Sequence, residues 1–291
     1  MKRRPFIKSL LASTALLSMD LKTFANTLSE NADDDLKMPA LFIGHGAPTY
    51  VLGENKYNKA WKEIGKKIPT PKAVVCISAH WLTRGKTMVT AMPKPRTIHD
   101  FGGFPQAMYD LQYPAPGDET LAKEISNTIQ NPHIELDHQW GFDHGTWTVL
   151  YHMFPNADIP VLQMSIDYNR DAQYHFDLAQ QLQFLRKQGV LIVGSGNIVH
   201  NLSKLIFDEQ EKFDWAIEFD ETSKNLMEKG DFKSLINYQS LGNEALLSIP
   251  TPDHYFPLMY TLGLKTEKDQ ISFPVEGVSY GSTSMRTVLI S

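Results

Sequence analysis

Met38-Pro39-Ala40-Leu41-Phe42-Ile43-Gly44-His45-Gly46-Ala47-Pro48 is an apolar run of strand length that stops at a histidine held between two glycines. The design recurs. Ala73-Val74-Val75-Cys76-Ile77-Ser78-Ala79-His80-Trp81 ends a second apolar run on a histidine, and Val190-Leu191-Ile192-Val193-Gly194-Ser195-Gly196-Asn197-Ile198-Val199-His200 leads a third to His200. Such runs read as short buried strands. In an α/β sheet, ligands bind where the carboxyl ends of strands open into loops. Three strands that end on histidine near one edge would focus three imidazoles on one point. A fourth candidate, His254 in Thr251-Pro252-Asp253-His254-Tyr255, lies near a helix start. Imidazole is a common ligand for zinc, iron and copper, so the pattern predicts a mononuclear metal site.

The remaining composition narrows the class. The chain has 291 residues, 42% hydrophobic and 21% charged, which suits one α/β domain with a substantial core. No apolar run reaches the ~18 residues of a membrane span. The first residues read differently from the rest. Met1-Lys2-Arg3-Arg4-Pro5-Phe6-Ile7-Lys8 is basic, Ser9 to Met19 is apolar, and Thr23-Phe24-Ala25 offers a small-residue cleavage site. This is the three-part pattern of an export signal, and Arg3-Arg4 followed by Phe6-Ile7-Lys8 gives it a twin-arginine character. Residues 1–25 are therefore expected to be an export signal to the periplasm, 26–37 an acidic linker, and 38–291 the catalytic domain.

Removal of residues 1–25 takes away five basic residues and one acidic one and leaves 23 against 32, a net charge of −9. So acidic a chain is a poor binder of nucleic acid. The single cysteine, Cys76, permits no internal disulfide and reads as a buried thiol.

Strand and helix patterns alternate along the chain, which argues α/β. Helices are expected at Tyr57–Lys67, Asp118–Asn131, Trp147–Met153, Ala172–Gln188 (closed by Gly189), Trp215–Glu228, and from Pro252 to about Leu262. Ile271–Tyr280 and Ser284–Ile290 are expected as strands with no helix between them, which favours a mixed central sheet flanked by helices over a parallel one. Pro93 to Gly117 holds five prolines and three glycines among aromatic residues. A segment of that length without periodicity reads as a binding loop or lid, centred on His99-Asp100-Phe101-Gly102-Gly103-Phe104.

Of ten histidines, His133, His152 and His175 read as structural or surface residues, and His138 as undecided. His45, His80, His144, His200 and His254, with His99 close behind, remain. A structural zinc site normally uses cysteine, whereas an all-histidine site with an open position suits catalysis. Asp100, Asp143 and Asp253 each neighbour a loop histidine and would serve as acceptors for the N–H that a metal-bound imidazole keeps. Gly194-Ser195-Gly196 lacks the third glycine of a dinucleotide loop, because Val199 fills that place, and it lacks the spacing of a serine nucleophile elbow.

Gly44-His45-Gly46-Ala47-Pro48, Ser78-Ala79-His80-Trp81, His99-Asp100-Phe101-Gly102-Gly103-Phe104-Pro105, Trp140-Gly141-Phe142-Asp143-His144-Gly145, Gly194 to Asn201 and Pro252-Asp253-His254-Tyr255 occur in that order. Together they resemble the 4,5-DOPA extradiol dioxygenases, a branch of the class III ring-cleaving dioxygenases. The resemblance runs from about Met38 to the end. It implies one mixed α/β domain with one divalent metal, Zn(2+) or Fe(2+), held by His45, His80 and His254, with His200 as a further ligand or as base. It implies a small catechol such as L-DOPA and O2 as reactants, His144 as a second acid–base group, and Trp81, His99, Phe101 and Phe104 around the substrate. The expected state is a monomer or homodimer. Two rival readings use the same histidines: a zinc-dependent hydrolase, and an exported metal carrier. The absence of His-rich tracts counts against the carrier.

Overall fold

The computed structural model describes residues 37–291. The expected export signal, and the linker up to residue 36, lie outside the described residues. Lys37, the last residue assigned to that linker, is tied down by hydrogen bonds from Nζ to Thr266 Oγ1 (2.8 Å) and Asp269.

The three histidine-tipped runs form the centre of one sheet. They are β1 (Ala40–Gly44), β2 (Ala73–Thr83) and β8 (Val190–Gly196). Between them in the chain come β3 (Thr87–Thr90), β4 (Arg96–Thr97), β5 (Ile134–Asp137), β6 (Gly141–Phe142) and β7 (Val161–Asp167). After them come β9 (Ile271–Val275), β10 (Val278–Ser279), β11 (Thr283–Ser284) and β12 (Thr287–Ile290). Eight strands make the main sheet in the order β5-β3-β7-β2-β8-β1-β12-β9. β7, β2, β8 and β1 run parallel, while β12, β9 and the β3–β7 pair are antiparallel. The sheet is mixed because the last two long strands return without a crossover helix, and only a crossover can make neighbours parallel.

Register decides where the site lies. Gly44 pairs with Gly196, and Ser78 pairs with Ser195. The carboxyl ends of β1 and β2 therefore flank that of β8, with His45 one residue beyond the first and His80 two beyond Ser78.

Alternation along β8 brings two helices to the same edge from opposite faces. Gly194 and Gly196 point to one face, where an added Cβ would strike the carbonyl oxygens of Pro257 and His254. The helix Phe256–Gly263 consequently lies against bare backbone. Ser195 points to the other face and meets Gly145 at the start of the helix His144–Met153. The glycine pair thus serves close helix packing, not a phosphate.

Several expected boundaries shift for identifiable reasons. Ala172–Gln188 breaks at Leu182 into Ala172–Gln181 and Gln183–Lys187, where the hydrogen bonds tighten to three-residue spacing. The helix expected from Pro252 begins at Phe256, with Pro257 in its first turn, because residues 252–255 are spent delivering His254. Ile271–Tyr280 splits at Gly277, whose φ of 120° no strand residue adopts. Ser284–Ile290 likewise splits around Met285 and Arg286. Arg286 is fully buried and is held by Asp220, Glu221 and Glu276.

Pro93–Gly117 is a tethered loop. β4 pairs with β6, the Ile98 N–H donates to Phe142 O (2.7 Å), Trp147 Nε1 donates to Ile98 O (3.0 Å), and Tyr113 Oη donates to Phe154 O (3.1 Å). Gly102 to Gly103 and Pro105 to Ala107 form its exposed tip.

Candidate metal centre

Five histidines meet at the carboxyl edge of the sheet: His45, His80, His144, His200 and His254. The rings of His45, His80 and His254 stand 5.1, 5.4 and 4.9 Å apart, centroid to centroid, in a near-equilateral triangle. His144 adjoins His80 at 3.8 Å and His45 at 5.5 Å. His200 stacks on His254 at 3.5 Å with the planes only 12° apart.

Hydrogen bonds fix the proton-bearing nitrogen of His45, His144 and His254. Ser195 Oγ has one hydrogen and donates it to Gly145 O at 2.5 Å. Its 3.0 Å contact with His45 Nδ1 must then be a bond it accepts, so His45 carries its proton on Nδ1 and presents a lone pair at Nε2. Asp253 accepts from His254 Nδ1 in the same way. Asp100 Oδ2 accepts from His144 Nδ1 at 3.0 Å and lies 3.4 Å from His80 Nδ1. An acceptor behind the ring is the arrangement that orients metal-bound imidazoles.

The consequence shows between His45 and His80. Their Nε2 atoms lie 3.1 Å apart, at hydrogen-bond distance; Ser195 places a lone pair on that of His45, and the proton of His80 can sit on its own Nε2 and bridge the two. In the metal-free protein one N–H between the two nitrogens satisfies both, and a bound cation would take the place of that proton. Burial, followed by the neighbouring histidines, holds the pKa of both rings well below the ordinary histidine range, so both are neutral. A metal fits: with bonds of about 2.0–2.1 Å, two ligands at 90–109° are separated by about 2.8–3.4 Å. The ring nitrogens of His45, His80 and His144 lie within 4.8 Å of one another, and so do the ligand atoms of His200, Asp253 and His254, so these two adjoining groups are the residues able to hold a divalent ion.

The supporting carboxylates are all engaged. Burial works most strongly against ionisation of Asp253, but its bond to His254, the charge of that ring and the Thr251 hydroxyl together outweigh it and keep the carboxyl well below the usual range. Asp100 is likewise held low by its bonds to His144 despite partial burial. Asp143 serves a different purpose from the other two. Fully buried, it accepts from Ser78 Oγ (2.6 Å) and Gln163 Nε2 and caps the helix that begins at His144. Burial, then the Asp100 charge, pushes its pKa up to about 6.

The other sequence candidates lie as follows. Phe101 stands 5.7 Å from His144, edge to face, and Phe104 packs on Phe101 at 5.3 Å. His99 sits behind them, its Nε2 bonded to Leu111 O (2.9 Å) and its ring against Phe101 and Trp147. Trp81 stacks on Trp140 at 5.4 Å, not on the Phe101 cluster. His133 and His138 are exposed, His152 Nε2 bonds Val51 O, and His175 is buried against Tyr260. Burial pushes the Cys76 thiol up to about 12, and it accepts from Thr146 Oγ1, so it is no thiolate ligand. Sequence reasoning weighed Ser195 only as a nucleophile; the structure places it as the acceptor behind His45 Nδ1.

A family model described as the catalytic LigB subunit of aromatic ring-opening dioxygenase matches residues 39–287. The chain belongs to this family. It is accordingly an extradiol aromatic ring-opening dioxygenase. It is 48% identical over 260 residues to a 4,5-DOPA dioxygenase extradiol of Escherichia coli K12, covering 87% of this chain and 95% of that one. A protein of the same name from Beta vulgaris is 33% identical over 248 residues, 82% of this chain and 91% of its own. The crystal structure of an uncharacterized protein from Escherichia coli K12 aligns with a TM-score of 0.77 at 40% identity, over 88% of this chain and 100% of the other.

Proposed function

We propose that the protein cleaves a catechol, with L-DOPA (4,5-cleavage) as the first substrate to test, using one divalent metal held by Nε2 of His45, His80 and His254. The observation that carries this reading is the convergence of five imidazoles at one sheet edge, with Nδ1 of His45, His144 and His254 each bonded to an outer partner and the Nε2 atoms of His45 and His80 3.1 Å apart. The names of the relatives support the choice of substrate. The ion, when bound, supplies Lewis acidity toward the two catechol oxygens and, as iron(II), the redox chemistry with O2 that zinc lacks.

The chain's own residues supply the rest. Burial and the adjacent His254 hold the pKa of His200 well below the ordinary histidine range. It is therefore neutral at pH 7, with a ring nitrogen able to accept a hydrogen bond from a phenolic hydroxyl and to take its proton as negative charge on the substrate offsets the burial. His144 donates from Nδ1 to Asp100, which leaves Nε2 as the atom that takes or returns a proton. Phe101 and Phe104 give the aromatic ring an apolar wall beside His144, and the tethered loop that carries them limits water.

The test is anaerobic reconstitution with iron(II), then L-DOPA and air, with oxygen uptake and the visible spectrum followed together. Uptake with a coloured ring-opened product, lost in His45→Ala and His200→Ala, is expected. No uptake with iron(II) across several catechols, together with ester or amide hydrolysis in zinc(II), would replace this reading with a zinc hydrolase.

The proposal extends to location. Arg3-Arg4 ahead of the apolar stretch Ser9 to Met19 supports export of a folded, metal-loaded protein to the periplasm. Fractionation of cells that express the full chain is expected to find it in the periplasm. The same distribution after Arg3→Lys and Arg4→Lys would refute the twin-arginine route.

A further inference from the structure

We infer that Asp100 is a positioning residue that joins the substrate-facing loop, the metal ligand His80 and the proton-handling His144 through one carboxylate. This rests on the reading of His80 as a ligand and His144 as an acid–base group. Asp100 comes from the Pro93–Gly117 loop, immediately before Phe101, and reaches a helix that begins 44 residues later. Oδ1 accepts the backbone N–H of His144 at 2.8 Å, and Oδ2 accepts His144 Nδ1–H at 3.0 Å while standing 3.4 Å from His80 Nδ1. The His144 side chain is 8% exposed and that of Asp100 20%, so water does little to replace these contacts.

The chemistry follows from the partners. The backbone amide is a donor at any pH. Both imidazoles must also present an N–H to the carboxylate if their Nε2 atoms are to face the centre with lone pairs. Asp100 thus meets donors on both oxygens. A carboxylate satisfies all of them, and an amide of the same shape does not. Turned one way, its NH2 faces the His144 backbone N–H and frees the helix start. Turned the other way, it faces the two rings and drives their protons to Nε2, where they obstruct the centre. Because the next residue is Phe101, the contact that orients the histidines is anchored on the same few residues as the ring wall. The carboxylate of Asp100, and not the ring wall beside it, is what aims the imidazoles.

The experiment compares wild type with Asp100→Ala, Asp100→Asn and Phe101→Ala in the full chain, with folding checked by far-UV circular dichroism. Two quantities are read: the affinity for Co(II), by titration against a chelator, and the ring tautomer of His144 in metal-free protein, by 15N NMR. Wild type is expected to hold His144 as the Nδ1–H form. Both Asp100 variants are expected to lose that pure form and to bind Co(II) about 10- to 100-fold more weakly, the usual consequence of removing a ligand's outer partner. Phe101→Ala is expected to keep both properties. If Asn restores wild-type behaviour, Asp100 only fills space and the inference is overturned. It is overturned equally if Phe101→Ala shifts both readouts as far as Asp100→Ala does. Failure of wild type to bind Co(II) would instead refute the metal reading, and the tautomer measurement would still decide the role of Asp100.

Discussion

Ser195→Ala separates the orienting role of a hydrogen bond from its contribution to folding. Ser195 is fully buried, donates to Gly145 O at 2.5 Å and accepts from His45 Nδ1 at 3.0 Å. Alanine leaves both groups without that partner, and each buried orphan costs about 1–3 kcal/mol. In the metal-free protein His45 has an escape. Its proton can move to Nε2, 3.1 Å from His80 Nε2, which accepts it once the His80 proton sits on Nδ1 beside Asp100. The Gly145 carbonyl loses only its second donor, because it lies inside the helix His144–Met153, and folding stability should fall by about 1 kcal/mol. Metal binding closes the escape, because Nε2 must give up the proton and Nδ1–H returns to a site without an acceptor. That orphan's cost of about 1–3 kcal/mol is then subtracted from binding, a loss of about 5- to 140-fold in affinity at 1.4 kcal/mol per decade. Urea unfolding of chelator-treated protein measures the first quantity, and Zn(II) or Co(II) competition against a coloured chelator measures the second. A variant that loses stability but binds the ion within twofold of wild type would refute the tautomer argument.

Three further outcomes follow from the same geometry. His200→Ala should bind the ion as wild type does and lose about 10²- to 10⁴-fold in catechol turnover, the range for a removed general base; loss of the ion would make His200 a ligand. His175, buried to a pKa of about 3, stays neutral in the native state while the unfolded imidazole takes a proton below about 6.5, so stability is lost as pH falls from 6.5 toward 3. His175→Gln should remove about 2 kcal/mol of the stability lost between pH 7 and pH 5, as read by urea unfolding at both values, and an unaltered loss counts against that sign. Gly196→Ala should push the backbone at His254 away from β8, lower stability by about 1–3 kcal/mol through overpacking and weaken metal binding; wild-type affinity would show that this backbone can give.

The difference between what the sequence disclosed and what it concealed lies in the range of the forces involved. The apolar runs Leu41–Ile43, Val74–Ile77 and Leu191–Val193 were legible because a strand covered on both faces needs little but apolar side chains, and a polar residue ends it. His45 and His80 stood out for that reason. Their convergence was not legible, since it depends on β8 lying between β1 and β2, and strand order is settled by long-range packing that no local pattern records. The helix break at Leu182 was hidden because tightening one turn keeps the apolar face in phase and needs neither glycine nor proline. Pro252 misled for a complementary reason: it suits a helix start, but the backbone there is committed to setting His254 against Gly196. Asp100 was visible only as an acidic neighbour of His99, and its actual partner in the chain is 44 residues away. Short-range chemistry thus marks the individual ligands. The groups that decide which nitrogen each ligand presents (Ser195, Asp100 and the bare backbone at Gly196) reach their partners across the fold, and so the orientation of this centre is a property of its tertiary structure.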